Sequence, residues 1–261
     1  MLKQLDPKPL GAILDMDGVL WKSETPLCNI KLIFHKFNEN SIHFILATNN
    51  GTQTTDEFIE KIQRMGADIE PWQIVTSGMA LGHLLINKFP QGGGIHILGS
   101  PALKTTLEEY GFFHSENAPL AIVAGMDTEI SYQKIAVAAN LARSGLPLYG
   151  SNPDTTYPTP EGLLPGAGVF ISAVEIASGK KAIIAGKPNP YLFETAIEKL
   201  NIKPSDTLVI GDRLETDILG GFRAGCKTAL VLSGVTKKND LLSWEPQPDL
   251  VLQSIMELFE Q

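Results

Sequence analysis

The chain has 261 residues, 43% of them hydrophobic and 19% charged, with a formal net charge of −8. This is the composition of a globular protein with room for one large domain or two ordinary ones. The acidic balance argues against a nucleic-acid polymer or an anionic membrane as partner. Cys28 and Cys226 are too far apart for a CxxC pair, so reduced thiols in a cytoplasmic protein are expected. The N-terminal "MLKQLDPKPLGAILD" has no long apolar segment of the signal-peptide kind. No apolar run approaches the roughly 18 residues of a membrane span.

In chain order, the run "GAIL" reads as a buried strand and leads into Asp15 and Asp17. Thr25 and Pro26 have the pattern of a helix N-cap followed by proline at the first helical position. Leu27, Ile30, Ile33, Phe34 and Phe37 then recur at helical spacing. "HFILATNN" is the next predicted strand. Thr54 and Glu57 follow at capping-box spacing, and Gly66 is a helix stop. Residues 77–181 carry their own alternation, with predicted strands "IHILG", "LAIVAG" and "LPLYG" and a helix over 131–144. The edges of this region are looser, at the glycines 92–94 and in the Pro- and Gly-rich stretch 152–168. It reads as a second α/β domain inserted into a first one formed by 1–76 and 182–261. "AIIAGK" is then a predicted strand leading to Asn189-Pro190, a cap and first-turn pair. "TLVIGD" precedes a helix ending at Gly225, and "TALVLSG" follows. This βαβα rhythm predicts a mainly parallel sheet covered by helices.

Ligands of parallel α/β sheets bind at the carboxyl ends of the strands. The residues that end the predicted strands are Asp15 and Asp17, Thr48 and Asn49, Lys187, and Asp212, with Asp217 five positions on. Taken singly, "DMDG", "GKPNP" and "GDRLETD" are ordinary turns or helix starts. Together they gather carboxylates that repel by roughly 4 kcal/mol per close pair at an effective dielectric of about 20. A bound cation relieves that repulsion. Oxygen-only ligation selects a hard ion, for which Mg²⁺ is the best fit. A lysine, a threonine hydroxyl and backbone N–H groups beside it suit a phosphate dianion. The histidines at 35, 43, 83, 96 and 114 show no metal-ligand spacing, and the glycines at 92–94 are not followed by the Gly-Lys-Ser/Thr of a P-loop.

"DMDGVL", "ATNN", "GKPNP" and "GDRLETD" resemble, in order and spacing, the four motifs of the haloacid dehalogenase-like (HAD) superfamily. "GAGVFISAVEIASGKKAIIAGKPNPYLFETAI" is similar to its NagD-like, 4-nitrophenylphosphatase-like and pyridoxal phosphate phosphatase-like branch, subfamily IIA. The resemblance implies a Rossmann-like parallel-sheet core with an inserted α/β cap of C2 type, and a Mg²⁺-dependent hydrolase of small phosphomonoesters. The substrate classes implied are nucleoside monophosphate, 4-nitrophenyl phosphate, pyridoxal phosphate and sugar phosphate.

It further implies Asp15 as the nucleophile that forms an aspartyl-phosphate, and Asp17 as general acid and then base. Thr48 and Lys187 would hold the phosphoryl oxygens, with Asn49 and Asn50 contacting substrate. Mg²⁺ would be held by Asp15, the Asp17 carbonyl and Asp212, and Asp217 would orient the metal's waters. Asp17 also separates a phosphatase from the dehalogenases, whose halide leaves without a proton. The cap implied by the resemblance closes over the crevice and, by analogy, pairs two copies as a homodimer. Its loop after "LPLYGSNPD" offers Asn152, Asp154 and Tyr157 as specificity candidates, although Asn and Asp serve equally well as turn residues. Two alternatives share the fold, a phosphomutase and a non-catalytic phospholigand sensor. The short Val19–Ser41 segment and the complete acid set speak against them.

Overall fold

Four consecutive buried residues, Gly11–Leu14, form the first strand, β1. In the computed structural model, which describes residues 1–159 and 162–260, β1 is followed by β2 (Trp21–Lys22), β3 (Thr25–Pro26), α1 (Ile30–Glu39), β4 (His43–Thr48), α2 (Thr55–Arg64) and β5 (Ile74–Thr76). The middle of the chain gives α3 (Ser77–Lys88), β6 (Gly93–Leu98), α4 (Pro101–Glu109), β7 (Phe112–His114), β8 (Ile122–Ala124), α5 (Tyr132–Arg143) and β9 (Leu148–Gly150). It continues with β10 (Thr156–Thr159), β11 (Gly162–Pro165), α6 (Ala167–Ser178) and β12 (Ile183–Ile184). The last part gives α7 (Tyr191–Leu200), β13 (Thr207–Gly211), α8 (Leu219–Arg223), β14 (Lys227–Val231) and β15 (Leu250–Leu252). Two compact units result: Met1–Thr48, Thr55–Val75 and Lys187–Gln261 form one, and Asn49–Thr54 with Thr76–Gly186 form the other.

The first unit is built on a six-stranded sheet in the order β15-β14-β13-β1-β4-β5. Strands β4, β1, β13, β14 and β15 pair in parallel. Every residue of β1 and β13 is buried, which suits the centre of a sheet covered on both faces. After β1 the chain moves outward through β4 and β5, and it returns to the other side of β1 at β13. The strand order therefore reverses at β1, the place where α/β sheets bind ligands. The register is level there, because Leu14 pairs with both Ile210 and Leu46.

Helix α1 buries Ile30, Ile33, Phe34 and Phe37, and the Asn29 side chain caps it by accepting from the Leu32 N–H. The Thr25-Pro26 pair does not start this helix. It pairs with Trp21–Lys22 in a tight hairpin, and the chain stays outside the helix until Asn29 supplies a cap. Proline tolerates this position because its fixed φ suits an extended edge as well as a first helical turn.

The second unit has a five-stranded sheet in the order β12-β9-β8-β6-β7, with parallel pairing throughout. The "AIIAGK" run supplies β12 of this sheet, beside β9, and not a strand of the first sheet. The Pro- and Gly-rich stretch 152–168 contains an antiparallel hairpin, β10 with β11, in which Tyr157 pairs with Leu164. No helix among the described residues is long and apolar enough to cross a membrane.

Phe37 is fully buried, with its ring 5.4 Å from that of Phe44 and edge-on to Phe259 at 5.0 Å. Phe37→Ala is expected to cost about 3–5 kcal/mol of stability by transfer and cavity losses, read as a lower urea midpoint in fluorescence-monitored unfolding.

Candidate active site

The level register of β1, β4 and β13 sets the backbone of the site. The Asp15 N–H donates to the Ile210 carbonyl at 2.8 Å, continuing the sheet ladder one residue beyond β1. Thr48 ends β4 and Asp212 follows β13. After Asp212 the chain makes a π turn, Leu214–Ile218, in which the Ile218 N–H reaches the Arg213 carbonyl. Such wide turns recur at functional sites, and this one returns Asp217 to the strand end. A Cβ at position 211 would overlap the Asp217 side chain, so Gly211 allows this approach. Gly18, at φ 87°, and Gly234 likewise leave room for the Asp212 carboxylate.

Lys187 lies at the centre and is 2% exposed. Its Nζ donates to Asp15 Oδ1 at 2.7 Å, to Asp217 Oδ1 at 2.8 Å and to the Ala47 carbonyl at 2.8 Å. Three bonds match the three donors of an ammonium. Asp217 Oδ2 accepts from the Arg213 N–H at 3.2 Å and from Thr216 Oγ1 at 3.5 Å. Asp212 Oδ2 accepts from the Val235 N–H at 2.7 Å, whereas its buried Oδ1 meets no donor among the described residues. Carboxyl oxygens of Asp15, Asp212 and Asp217 lie within 4.8 Å of one another.

Three carboxylates against one ammonium leave two negative charges when all are ionised. Burial raises the Asp15 carboxyl well above the usual range; Lys187 opposes this, and the charges of Asp217 and Asp212 add to it. Burial and then the Asp217 charge raise Asp212 from 3.8 to about 6. Burial alone would lower the Lys187 ammonium, but Asp15 and Asp217 more than offset it and hold it above the ordinary lysine range. Asp17 is raised by desolvation, with the Ser23 N–H and Lys61 pulling the other way.

These features fit a divalent cation. The net charge of the cluster calls for one, and Asp212 Oδ1 is a buried oxygen ready to coordinate. An all-oxygen set is the chemistry of a hard ion.

The other sequence candidates belong to the second unit. Asn49 Nδ2 donates to Asp154 Oδ1 at 3.1 Å, and the Asn49 carbonyl accepts from Ser77 Oγ and Asn152 Nδ2 at 2.6 and 2.8 Å. Asn49, Asn152 and Asp154 thus form one network inside the second unit. Asn50 Oδ1 accepts from the N–H and hydroxyl of Thr52. Tyr157 is half-buried on the β10 strand. The sequence reading passed over the Ala47 carbonyl, which no side-chain motif can reveal. It also passed over Ser233, whose Oγ donates to the Gly18 carbonyl at 2.6 Å. Ser233 could have been found, since it is a polar residue just past a predicted strand.

Residues 12–113 match the family model for haloacid dehalogenase-like hydrolases, and 184–258 match a second HAD-hydrolase-like model. Over 249 residues the chain is 31% identical to a dihydroxyacetone phosphatase of Corynebacterium glutamicum (strain R), covering 95% of this chain and 90% of that protein. The chain belongs to the haloacid dehalogenase-like hydrolases. Among solved structures, NagD from E. coli K-12 is similar with a TM-score of 0.90 and 29% identity, covering 95% of this chain and 98% of NagD. A glycerol phosphate phosphatase from Mycobacterium tuberculosis, solved in complex with magnesium, is similar with a TM-score of 0.89 and 29% identity over 97% of this chain and 77% of its own. The HAD fold explains why three of the four motifs, far apart in sequence, end on the first sheet, while the Lys187 motif, which follows β12 of the second sheet, reaches Asp15 by its side chain. This member is a hydrolase of the phosphatase type.

A carboxyl raised by folding binds its proton more tightly in the folded than in the unfolded chain. Asp212, at about 6 against an ordinary 3.8, therefore stabilises the ion-free HAD protein below about pH 4, and that contribution is lost as pH rises through about 6. Adding a divalent cation, which competes with these protons, is expected to raise the Tm more at about pH 7 than at about pH 5. Thermal unfolding with and without the cation at both pH values checks this.

Proposed function

We propose that this HAD hydrolase is a Mg²⁺-dependent phosphatase of small phosphorylated metabolites, working through a phosphoryl group carried on Asp15. The observation that carries the reading is the cluster of Asp15, Asp212 and Asp217 around Lys187, with Asp212 Oδ1 open for a cation. Asp15, Asp212 and the main-chain carbonyl of Asp17 would hold Mg²⁺. When bound, the ion would offset charge on the phosphoryl oxygens and favour ionised Asp15.

In the first step an Asp15 carboxylate oxygen attacks phosphorus and the bond from phosphorus to the leaving oxygen breaks. The Asp17 carboxyl gives its proton to that oxygen, and a raised carboxyl suits this task. In the second step water attacks phosphorus, Asp17 takes the water proton, and the bond between Asp15 and phosphorus breaks to release phosphate. Thr48 and Lys187 hold the phosphoryl oxygens as charge builds. Lys187 also aims Asp15 through the 2.7 Å bond, and Asp217 keeps Lys187 in place.

The unit of Met1–Thr48, Thr55–Val75 and Lys187–Gln261 would serve as the catalytic domain, and that of Asn49–Thr54 and Thr76–Gly186 as the cap that selects the phosphomonoester. Tyr157 is the cap side chain suited to contact a leaving group. Similarity to a dihydroxyacetone phosphatase and a glycerol phosphate phosphatase supports short sugar or polyol phosphates as substrates. Burial pushes the free thiols of Cys28 and Cys226 up to about 11 and about 12, which disfavours the nucleophilic thiolate and suits a reducing cytoplasm.

Phosphate release should require Mg²⁺ and cease with EDTA. Asp15→Asn is expected to lower kcat by more than about 10³-fold, and Asp17→Asn by about 10²–10⁴-fold. Turnover by Asp15→Asn at the wild-type rate would remove Asp15 as nucleophile.

A further inference from the structure

Helix α2 buries Phe58 and Ile62 and, between them, Lys61. A lysine on the apolar face of a helix, only 6% exposed, needs partners for its charge. Its Nζ donates to the Ser23 carbonyl at 2.7 Å, lies 3.2 Å from Glu24 Oε1, and sits 4.9 Å from the centre of the Trp21 ring. All three partners belong to the hairpin of β2 and β3 that follows Asp17. Glu24 is mostly exposed, at 72%, so the buried hold on the hairpin is the Ser23 carbonyl and the Trp21 face.

Ser23 occupies the left-handed region at φ 53°, where L side chains other than Asn and Asp are uncommon. Both of its backbone polar groups are engaged. The carbonyl accepts from Lys61, and the N–H donates to Asp17 Oδ1 at 3.1 Å. The hairpin is only two residues per strand, too short to hold its own shape in water. A continuous path of hydrogen bonds thus runs from the Lys61 ammonium through the Ser23 backbone to the Asp17 carboxyl.

We infer that Lys61 is a positioning residue for Asp17: by pinning the carbonyl of Ser23 it fixes the N–H that orients the Asp17 carboxyl toward the leaving oxygen. The inference rests on Asp17 as the general acid. Loss of the ammonium would leave Asp15 and Lys187 as they are and loosen only Asp17, so the damage to the first step, where Asp17 is the acid, should follow how much the leaving group needs a proton. An alkoxide needs it; a 4-nitrophenolate hardly does.

The test compares kcat/KM, which reports the phosphorylation of Asp15 and not the later hydrolysis common to both substrates, on glycerol phosphate and on 4-nitrophenyl phosphate, with Mg²⁺ present, for wild type, Lys61→Met, Lys61→Arg and Asp17→Asn. Lys61→Met keeps the apolar stem over Trp21 and removes the donor. It is expected to lose about 10- to 100-fold on glycerol phosphate and less than about threefold on 4-nitrophenyl phosphate. Lys61→Arg, which keeps a charged donor, should restore the ratio of the two rates to within about threefold of wild type. Lys61→Gln, one bond too short to reach Ser23, carries the same expectation as Lys61→Met and replaces it if Lys61→Met does not fold. Equal losses on both substrates, or none, would overturn the positioning role. If Asp17→Asn itself shows no bias against glycerol phosphate, the acid assignment fails, and the role of Lys61 with it.

Discussion

The Lys187 ammonium holds the candidate active site together. Its three donors bind Asp15, Asp217 and the Ala47 carbonyl, so one charge links the ends of β1 and β4 to the turn after β13. Burying it without partners would be prohibitive, and burying Asp15, Asp212 and Asp217 without it would be worse. The ammonium still compensates only part of the negative charge. That shortfall gives the site its appetite for a divalent ion, since a fully neutral cluster would have no use for one.

Strand register does the rest. Because Leu14 is level with both Ile210 and Leu46, the residues just beyond three strands meet without any long side chain having to search for its place. Gly211 and Gly234 then matter for what they lack, as the carboxylates of Asp217 and Asp212 fill the space a Cβ would take. The resulting geometry is held by backbone, which suits catalysis that depends on donors and charges fixed in advance.

The positions of Asp15, Thr48 and Asp212 were legible because each ends an apolar run that is buried on both sides, and a parallel sheet aligns such ends. Asp217 was legible as a neighbour of Asp212, though not the π turn that returns it. Lys187 is instructive, since its place at the site does not come from the strand that precedes it. "AIIAGK" has the apolar content of a strand, but periodicity does not say which sheet a strand joins, and β12 lies beside β9. Thr25-Pro26 misled in a different way, because a cap signal is local while the hairpin it belongs to is held at the Ser23 carbonyl by Lys61 from elsewhere in the chain. The hairpin of β10 and β11 was hidden by prolines and glycines that read as loop. The network of Asn49, Asn152 and Asp154 joins residues about a hundred positions apart, and nothing local announces it.

That network has a consequence for how the chain can fold. Asn152 reaches both the Asn49 carbonyl and Ser77 Oγ, while the Gly186 N–H donates to the Ser151 carbonyl beside it. The points where the chain enters and leaves the second unit are therefore tied to one spot within it. The bond from Lys187 to Asp15 spans 172 positions, and closing a flexible loop of that length costs about 2–3 kcal/mol more than closing one of about ten residues. Once the second unit has formed, its pinned ends turn most of that length into a short rigid bridge. An insertion of this kind adds a domain while sparing its host most of the loop entropy.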